Sequence, residues 1–289
     1  MKKTIFAILL SMCLLSCEKQ LSYDLPEGEN NIVVNSILNA NADTILVNIS
    51  LSKPTAEPLD TNFFINDAQV DFYENNQLIS SLQPWGTKGY YHTNYQVRSG
   101  YTYSLKVKYN EFEAQANTTV PDKPNFSSRI LDPNGTLIIG EITIHDDADK
   151  SNYYIIDVQH NDIAYNDTSF TIVRKDALRF IFADFGPIEA KLYGIVDGYA
   201  FSDQIFDGQT YSFKWYAKAG IDTLFVRLFT IDKNLFEFFK TFSLSEIANA
   251  NPFAQPANVY TNIDGGLGLF ASLNYIEDTL EVNYIIIFK

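Results

Sequence analysis

Residues 101–109 read Tyr-Thr-Tyr-Ser-Leu-Lys-Val-Lys-Tyr. Tyr101, Tyr103, Leu105, Val107 and Tyr109 alternate with Thr102, Ser104, Lys106 and Lys108, so one face is apolar and the other polar. A period of two is the signature of a strand buried on one side. A helix would scatter the same apolar side chains around its axis. The pattern recurs at Ile45, Val47, Ile49 and Leu51. After a turn at Asn110-Glu111 it continues through Phe112, Ala114, Ala116 and Thr118. Val70 to Tyr73, Asn75-Asn76 and Gln77 to Leu82 read as a hairpin. Residues 32–120 thus predict about seven short strands, which is the content of an antiparallel β-sandwich of immunoglobulin-like type. The Cys–Trp–Cys spacing of antibody domains is absent.

Pro121-Asp122-Lys123-Pro124-Asn125 cannot lie in a central strand, and residues 121–128 are expected to be a linker. Residues 129–289 predict a second β-rich domain, barrel- or sandwich-like, with one packed helix. Its candidate strands are Leu137 to Ile144, Tyr153 to Gln159, Phe170 to Arg174, Lys191 to Val196, Thr210 to Tyr216, Leu224 to Phe229 and Gly266 to Tyr275. Leu280, Val282, Tyr284, Ile286 and Phe288 alternate again at the end. The helix is expected over about 233–248, capped by Asp232 and stopped at Asn251-Pro252. Leu235, Phe238, Phe239 and Phe242 fall on one face, which suits core packing. The chain is therefore expected to be mainly β.

The first residues carry a different signal. Lys2 and Lys3 precede an apolar run, Ile5 to Leu10, and the segment ends Leu14-Leu15-Ser16-Cys17. This is the plan of a secretory signal peptide over 1–16, and its ending resembles the bacterial lipobox, in which the cysteine is lipidated. The apolar run is too short for a membrane span, which needs about 20 residues. Cys17 is the expected lipidation site, and residues 17–31 are the expected tether. Of the two cysteines, cleavage would remove Cys13, so no disulfide is expected. With 35 acidic against 21 basic residues, the chain has a formal net charge of −14. That balance argues against nucleic-acid binding and against electrostatic adhesion to anionic lipid. Attachment would come from acyl chains. The expected state is therefore lipid-anchored at a membrane, with the leaflet left open. Alternating strands could also suggest a membrane barrel, but a lipid anchor and a helix argue against it.

Candidate sites are few. His145-Asp146-Asp147-Ala148-Asp149 offers oxygen ligands for a hard cation through Asp146, Asp147 and Asp149. An EF-hand loop begun at Asp147 would need glycine where Asn152 stands and an acid where Val158 stands, so a solvated acidic turn is the favoured reading. His92, His145 and His160 have no zinc-type spacing, and Gly-x-Ser-x-Gly is absent. Gly266-Leu267-Gly268 lacks the strand-to-helix context of a nucleotide loop and starts a strand instead. No cofactor is expected. The segment Pro84 to Tyr95 carries Trp85, Tyr90, Tyr91 and Tyr95 around Gly86 and Gly89. Such aromatics can stack on sugars or grip a partner, or else plug the end of the sandwich. Asp-Thr-aliphatic triplets at Thr44, Thr223 and Thr279 are similar to the O-glycosylation sequon of exported Bacteroidota proteins, and equally suit turns before strands.

Several stretches together resemble the domain-of-unknown-function 4249 family of Bacteroidota outer-membrane lipoproteins. They include Asn31 to Asn35, Ala68 to Glu74, Gly100 to Val107, Phe201 to Tyr211 and Asn251 to Phe270. The resemblance implies a cell-envelope lipoprotein, often encoded beside TonB-dependent transporters, with no catalytic residue to carry over. The leading expectation is a non-enzymatic binding or accessory module, with a TonB-dependent outer-membrane transporter as the partner. Alternatives are an envelope assembly or adhesion factor, or a hydrolase of unfamiliar type.

Overall fold

A computed structural model describes residues 30–53, 63–133, 136–148, 150–165, 170–176, 190–191, 199–218, 220–251, 253–255 and 257–282. The first eight strands are β1 (Ile32–Asn39), β2 (Thr44–Leu51), β3 (Gln69–Glu74), β4 (Gln77–Ser81), β5 (Gln83–Trp85), β6 (Tyr90–Asn94), β7 (Thr102–Tyr109) and β8 (Phe112–Thr119). They lie in two layers, β1-β2-β6-β5 and β4-β3-β7-β8. Lettered by immunoglobulin convention, this is ABED facing CFG, with β4 as an added strand beside C. The alternation read in the sequence decides which side chains meet between the layers. Ile32, Val34, Ile45, Val47 and Ile49 of one layer pack on Val70, Phe72, Leu105, Val107 and Ala114 of the other. The β3–β4 hairpin turns on Asn75 and Asn76, both with positive φ (46° and 69°), as the predicted Asn-Asn turn requires.

The sandwich contains no cysteine, and a polar cluster around Tyr103 ties β3, β7 and the 95–98 segment together. Tyr103 on β7 is fully buried, and its hydroxyl accepts the Arg98 backbone N–H at 2.9 Å, five residues upstream. This is the tyrosine corner of immunoglobulin-like folds. The same hydroxyl donates to Glu74 at 2.7 Å, Tyr95 donates to Glu74 at 2.6 Å, and the Arg98 guanidinium pairs with that carboxylate. Phe72 stacks on Tyr103 with ring centroids 5.3 Å apart.

The remaining elements are β9 (Phe126–Asp132), β10 (Leu137–His145), β11 (Tyr153–Tyr165), β12 (Phe170–Asp176), β13 (Ala190–Lys191), β14 (Tyr199–Ser202), β15 (Thr210–Lys218), β16 (Thr223–Ile231), α1 (Lys233–Asn249) and β17 (Leu267–Glu281). A sheet containing β11, β14, β16 and β17 faces the three strands β15-β10-β9. Between them lies a second core of Ile138, Ile142, Tyr154, Ile156, Phe213, Trp215, Val226 and Leu228. This half is a sandwich, and the described strands form no closed barrel. β9 begins at Phe126, inside the segment expected to be linker. Of the expected strand from Lys191 to Val196 only Lys191, in β13, is among the described residues; residues 192–198 lie outside the described set, as do the last alternating residues from 283 onward.

β17 joins the two halves. Its first part runs parallel to β1 (Val33 opposite Leu267, Asn39 opposite Leu273), and its second part runs antiparallel to β16 (Ile231 opposite Leu273, Thr223 opposite Glu281). Nine described strands follow one another in this sheet, a tenth, β12, pairs with β11 at its side, and the sheet crosses the boundary drawn at 121–128. Phe270 enters the first core, while Leu269, Ala271 and Leu273 form a third cluster with Leu235, Phe236 and Phe239 of α1. The helix thus covers the outer face of the shared sheet. Its buried stripe is Leu235, Phe236 and Phe239, whereas Phe242, expected on that stripe, is exposed. Tyr153 stacks on Phe236 at 4.5 Å, which draws the helix face around toward β11.

Glycine makes the entry of β17 possible. A Cβ on Gly265 would lie 2.2 Å from the Glu113 carbonyl oxygen of β8, and one on Gly268 would lie 2.2 Å from that of Val34 in β1. Gly268 also has φ +108°, where side chains are strained. Gly268→Ala is expected to destabilise the protein by about 2–4 kcal/mol, combining backbone strain with overpacking. Urea unfolding of the two proteins measures this, and an unchanged midpoint would show that the β1–β17 junction tolerates a side chain.

Candidate functional site

β5 and β6 end the large sheet among the described strands, and the turn between them sits on Gly86 and Gly89, both with positive φ. Register places Trp85 opposite Tyr90, and Tyr90 opposite Asn48 on β2. In the next outward row, Gln83 faces His92, and His92 faces Leu46. Trp85 is 59% exposed and Tyr90 37%. The Trp85 and His92 rings lie 5.8 Å apart. The result is a surface strip of aromatic rings, one leucine and flanking amides. Large exposed aromatics of this kind are typical anchors for a partner or a ligand.

Two aromatics expected here point inward instead. Tyr91 is fully buried, because neighbours along a strand face opposite ways. Its hydroxyl accepts the Ala68 N–H at 2.8 Å and donates to the Ile65 carbonyl at 3.1 Å. Tyr95 belongs to the tyrosine corner and is tied to Glu74. Burial would push the Glu74 carboxyl up, but hydrogen bonds from Tyr95, Tyr103 and Arg98 outweigh it and hold the group below its ordinary value. Burial and the bond to Glu74 push the Tyr95 and Tyr103 hydroxyls up, so both stay protonated donors.

The acidic cluster is also rearranged. Asp146 gathers with Asp203 and Asp207, their carboxylate oxygens within 4.8 Å of one another. Asp147 is exposed and apart from this group, and Asp149 lies outside the described residues. Asp146 accepts from the Tyr154 hydroxyl, from Asn152 Nδ2 at 3.2 Å and from the Gly208 N–H at 2.8 Å. Asp203, only 3% exposed, accepts the Asn152 N–H. Burial pushes its carboxyl up, and the charges of Asp146 and Asp207 add to the shift. These bonds fasten the 203–208 turn to the end of β10. Asp146 and Asp203 therefore act here as structural acceptors, although three carboxylates at this spacing are hard oxygen donors.

A cleft of about 670 Å³ opens where the sandwich, the 150–153 segment and the start of α1 meet. Asp232 stands in it as the helix N-cap, accepting the Leu235 N–H at 2.9 Å. It also accepts Thr118 Oγ1 at 2.6 Å and Asn234 Nδ2 at 3.0 Å. Asp122, at the rim, pairs with Lys150 at 2.9 Å. Both carboxylates are committed to structural partners. Thr44 and Thr279 are exposed and Thr223 half-buried, each within a strand. Cys17 lies outside the described residues. No helix among the described residues is long and apolar enough to cross a membrane.

The model of the family described as "Domain of unknown function (DUF4249)" matches residues 18–279. No curated protein matches the chain. Among solved structures, the selenomethionine-substituted chicken interferon gamma receptor alpha chain aligns at 8% identity. That alignment covers 89% of this chain and 99% of the receptor chain, with a TM-score of 0.20, too low to bear on fold or function.

Burial pushes the Asp232 carboxyl up from 3.8 to about 6, against the bonds from Thr118 and Leu235 that lower it. The folded state therefore binds this proton more tightly than the unfolded chain. Stability from this group is greatest below pH 4 and is lost as pH rises toward 6. The loss amounts to at most about 3 kcal/mol. Asp232→Asn keeps a capping oxygen and removes the charge. Urea unfolding between pH 4 and pH 7 should show a smaller fall for the variant than for the parent protein, and identical profiles would contradict this assignment.

Proposed function

The chain belongs to the domain-of-unknown-function family DUF4249, and we propose that it is a non-enzymatic envelope lipoprotein that acts as a binding or accessory module. In this reading Cys17 is lipidated at the outer membrane and residues 17–31 tether the two sandwiches. The sheet margin at β5–β6 then meets a TonB-dependent outer-membrane transporter. The observation that carries the reading is the outward row of Trp85 and Tyr90, flanked by Leu46. Burying such rings against a partner gains apolar area at little entropic cost, since each has few rotatable bonds. A binding role is favoured over a catalytic one because the acids of the cleft at the start of α1 cap a helix or hold an ion pair.

A second apolar surface favours the alternative of an assembly or adhesion factor. Phe242, Leu244 and Ile247 on the second half of α1, with Phe253 beyond it, are exposed, Phe253 to 95%. Deletion would then disturb many outer-membrane proteins rather than one uptake route, and a proteome comparison separates the two.

Pull-down of the native lipoprotein from membranes in mild detergent tests the main reading. A transporter should co-purify with the parent protein and be lost with Trp85→Ala/Tyr90→Ala, while both proteins keep the same thermal midpoint. Recovery of no transporter, or equal recovery with the double variant, overturns it.

A further inference from the structure

The polar half of the β7–β8 alternation builds a second, separate surface on the other layer of the sandwich. Ser104 stands opposite Asn117, and Lys106 opposite Gln115. These four side chains form the floor of a groove of about 420 Å³, walled by Asn234, Asn262 and Asp264, with Asn76 also lining it. A further space of about 260 Å³ continues it past Lys108 and Glu113. Both fall near the size range of small-molecule sites, about 300–1,000 Å³.

The walls are held rigid. Asn262 donates to the Phe270 and Asn117 carbonyls and accepts the Phe270 N–H. Asn234 donates to the Asn117 carbonyl and accepts the Tyr260 hydroxyl. Gln115 and Asp264 exchange two backbone hydrogen bonds, each 2.9 Å. The floor, by contrast, keeps capacity in hand. Among the described residues, the side chains of Asn76, Ser104 and Asn117 have no hydrogen-bond partner. Two amides and a hydroxyl offer donors and acceptors together.

The chemistry of the groove selects the ligand. Leu105 and Ala116 line it, but both are buried residues of the core, so no apolar side-chain pocket opens into it. Lys106 and Asp264 balance in charge, and the Lys106 ammonium already lies 5.0 Å from the centre of the Tyr73 ring. A peptide adding as a strand to β8 is obstructed, because Asp264 occupies the backbone of Gln115, and Asn234 and Asn262 occupy the carbonyl of Asn117. What remains suits a neutral, hydroxyl-rich molecule whose adjacent hydroxyls donate and accept at once. We propose that the β7–β8 groove binds a neutral oligosaccharide through Asn76, Ser104 and Asn117. This site is independent of the Trp85 margin.

Calorimetric titration of the full chain in detergent with maltohexaose, cellohexaose, xylohexaose and chitohexaose tests it. At least one should bind with a Kd of about 1 mM or tighter. Ser104→Ala/Asn117→Ala should weaken that binding at least about tenfold, as loss of two hydrogen-bonding groups predicts. Ser104→Trp should abolish it by filling the groove, and Trp85→Ala should leave it intact. Matching thermal midpoints show that the variants fold. No binding by any of the four at about 10 mM overturns the proposal. Binding that survives the groove variants, or that is lost with Trp85→Ala, overturns it equally.

Discussion

A parallel pairing between β1 and β17 is the contact on which the molecule depends. The first half of β17 completes the ABED layer of the immunoglobulin-like sandwich, and its second half lies beside β16 in the other sandwich. One strand therefore contributes to three apolar clusters: Phe270 to the first, Leu269 and Leu273 to the helix cluster, and Leu280 to the margin of the second. Thr118 Oγ1, within hydrogen-bond reach of both Asp232 and Ser272, adds a polar tie at the same place. Shifting β17 by one residue would reverse every side chain it presents, so the glycines at its entry are as much a part of the register as the apolar residues.

Much of this was legible locally. The alternation of Tyr103, Leu105 and Val107 identifies β7 and its inner face, and Asn75-Asn76 identifies a turn that needs positive φ. Asp232 is recognisable as a cap from its position before an apolar run. The sharing of one sheet between the two halves was not legible, because strand partners far apart in sequence leave no local pattern. The helix shows a subtler failure. Spacings of three and four select Phe238 and Phe242 as readily as Phe236, and only the position of Tyr153 and β17 decides which stripe is buried.

The sites divide the same way. Tyr90 and Tyr91 are adjacent, so strand periodicity alone requires them to face opposite sides. Tyr95 is engaged by Glu74, a residue whose importance appears only when β3 and β7 are placed side by side. Asp146 was visible as part of an acidic run, but its companions Asp203 and Asp207 come from a turn after β14, brought near by the packing of Tyr154 and Phe206. The groove over β7 and β8 gave no motif at all, since polar residues alternating on a strand ordinarily just meet water.

The shared strand also sets a timetable. A polypeptide emerging from its N-terminus exposes β1 early, yet the residue that pairs with Val33 is Leu267. Until that segment arrives, the flank of β1 offers unpaired backbone groups, and the slot for Phe270 stands open. Such long-range closure is slow and leaves adhesive edges accessible. The interval before β17 is made is therefore the stage most exposed to misassociation, and truncation between β8 and β17 leaves the immunoglobulin-like half unfinished even though its own eight strands are present.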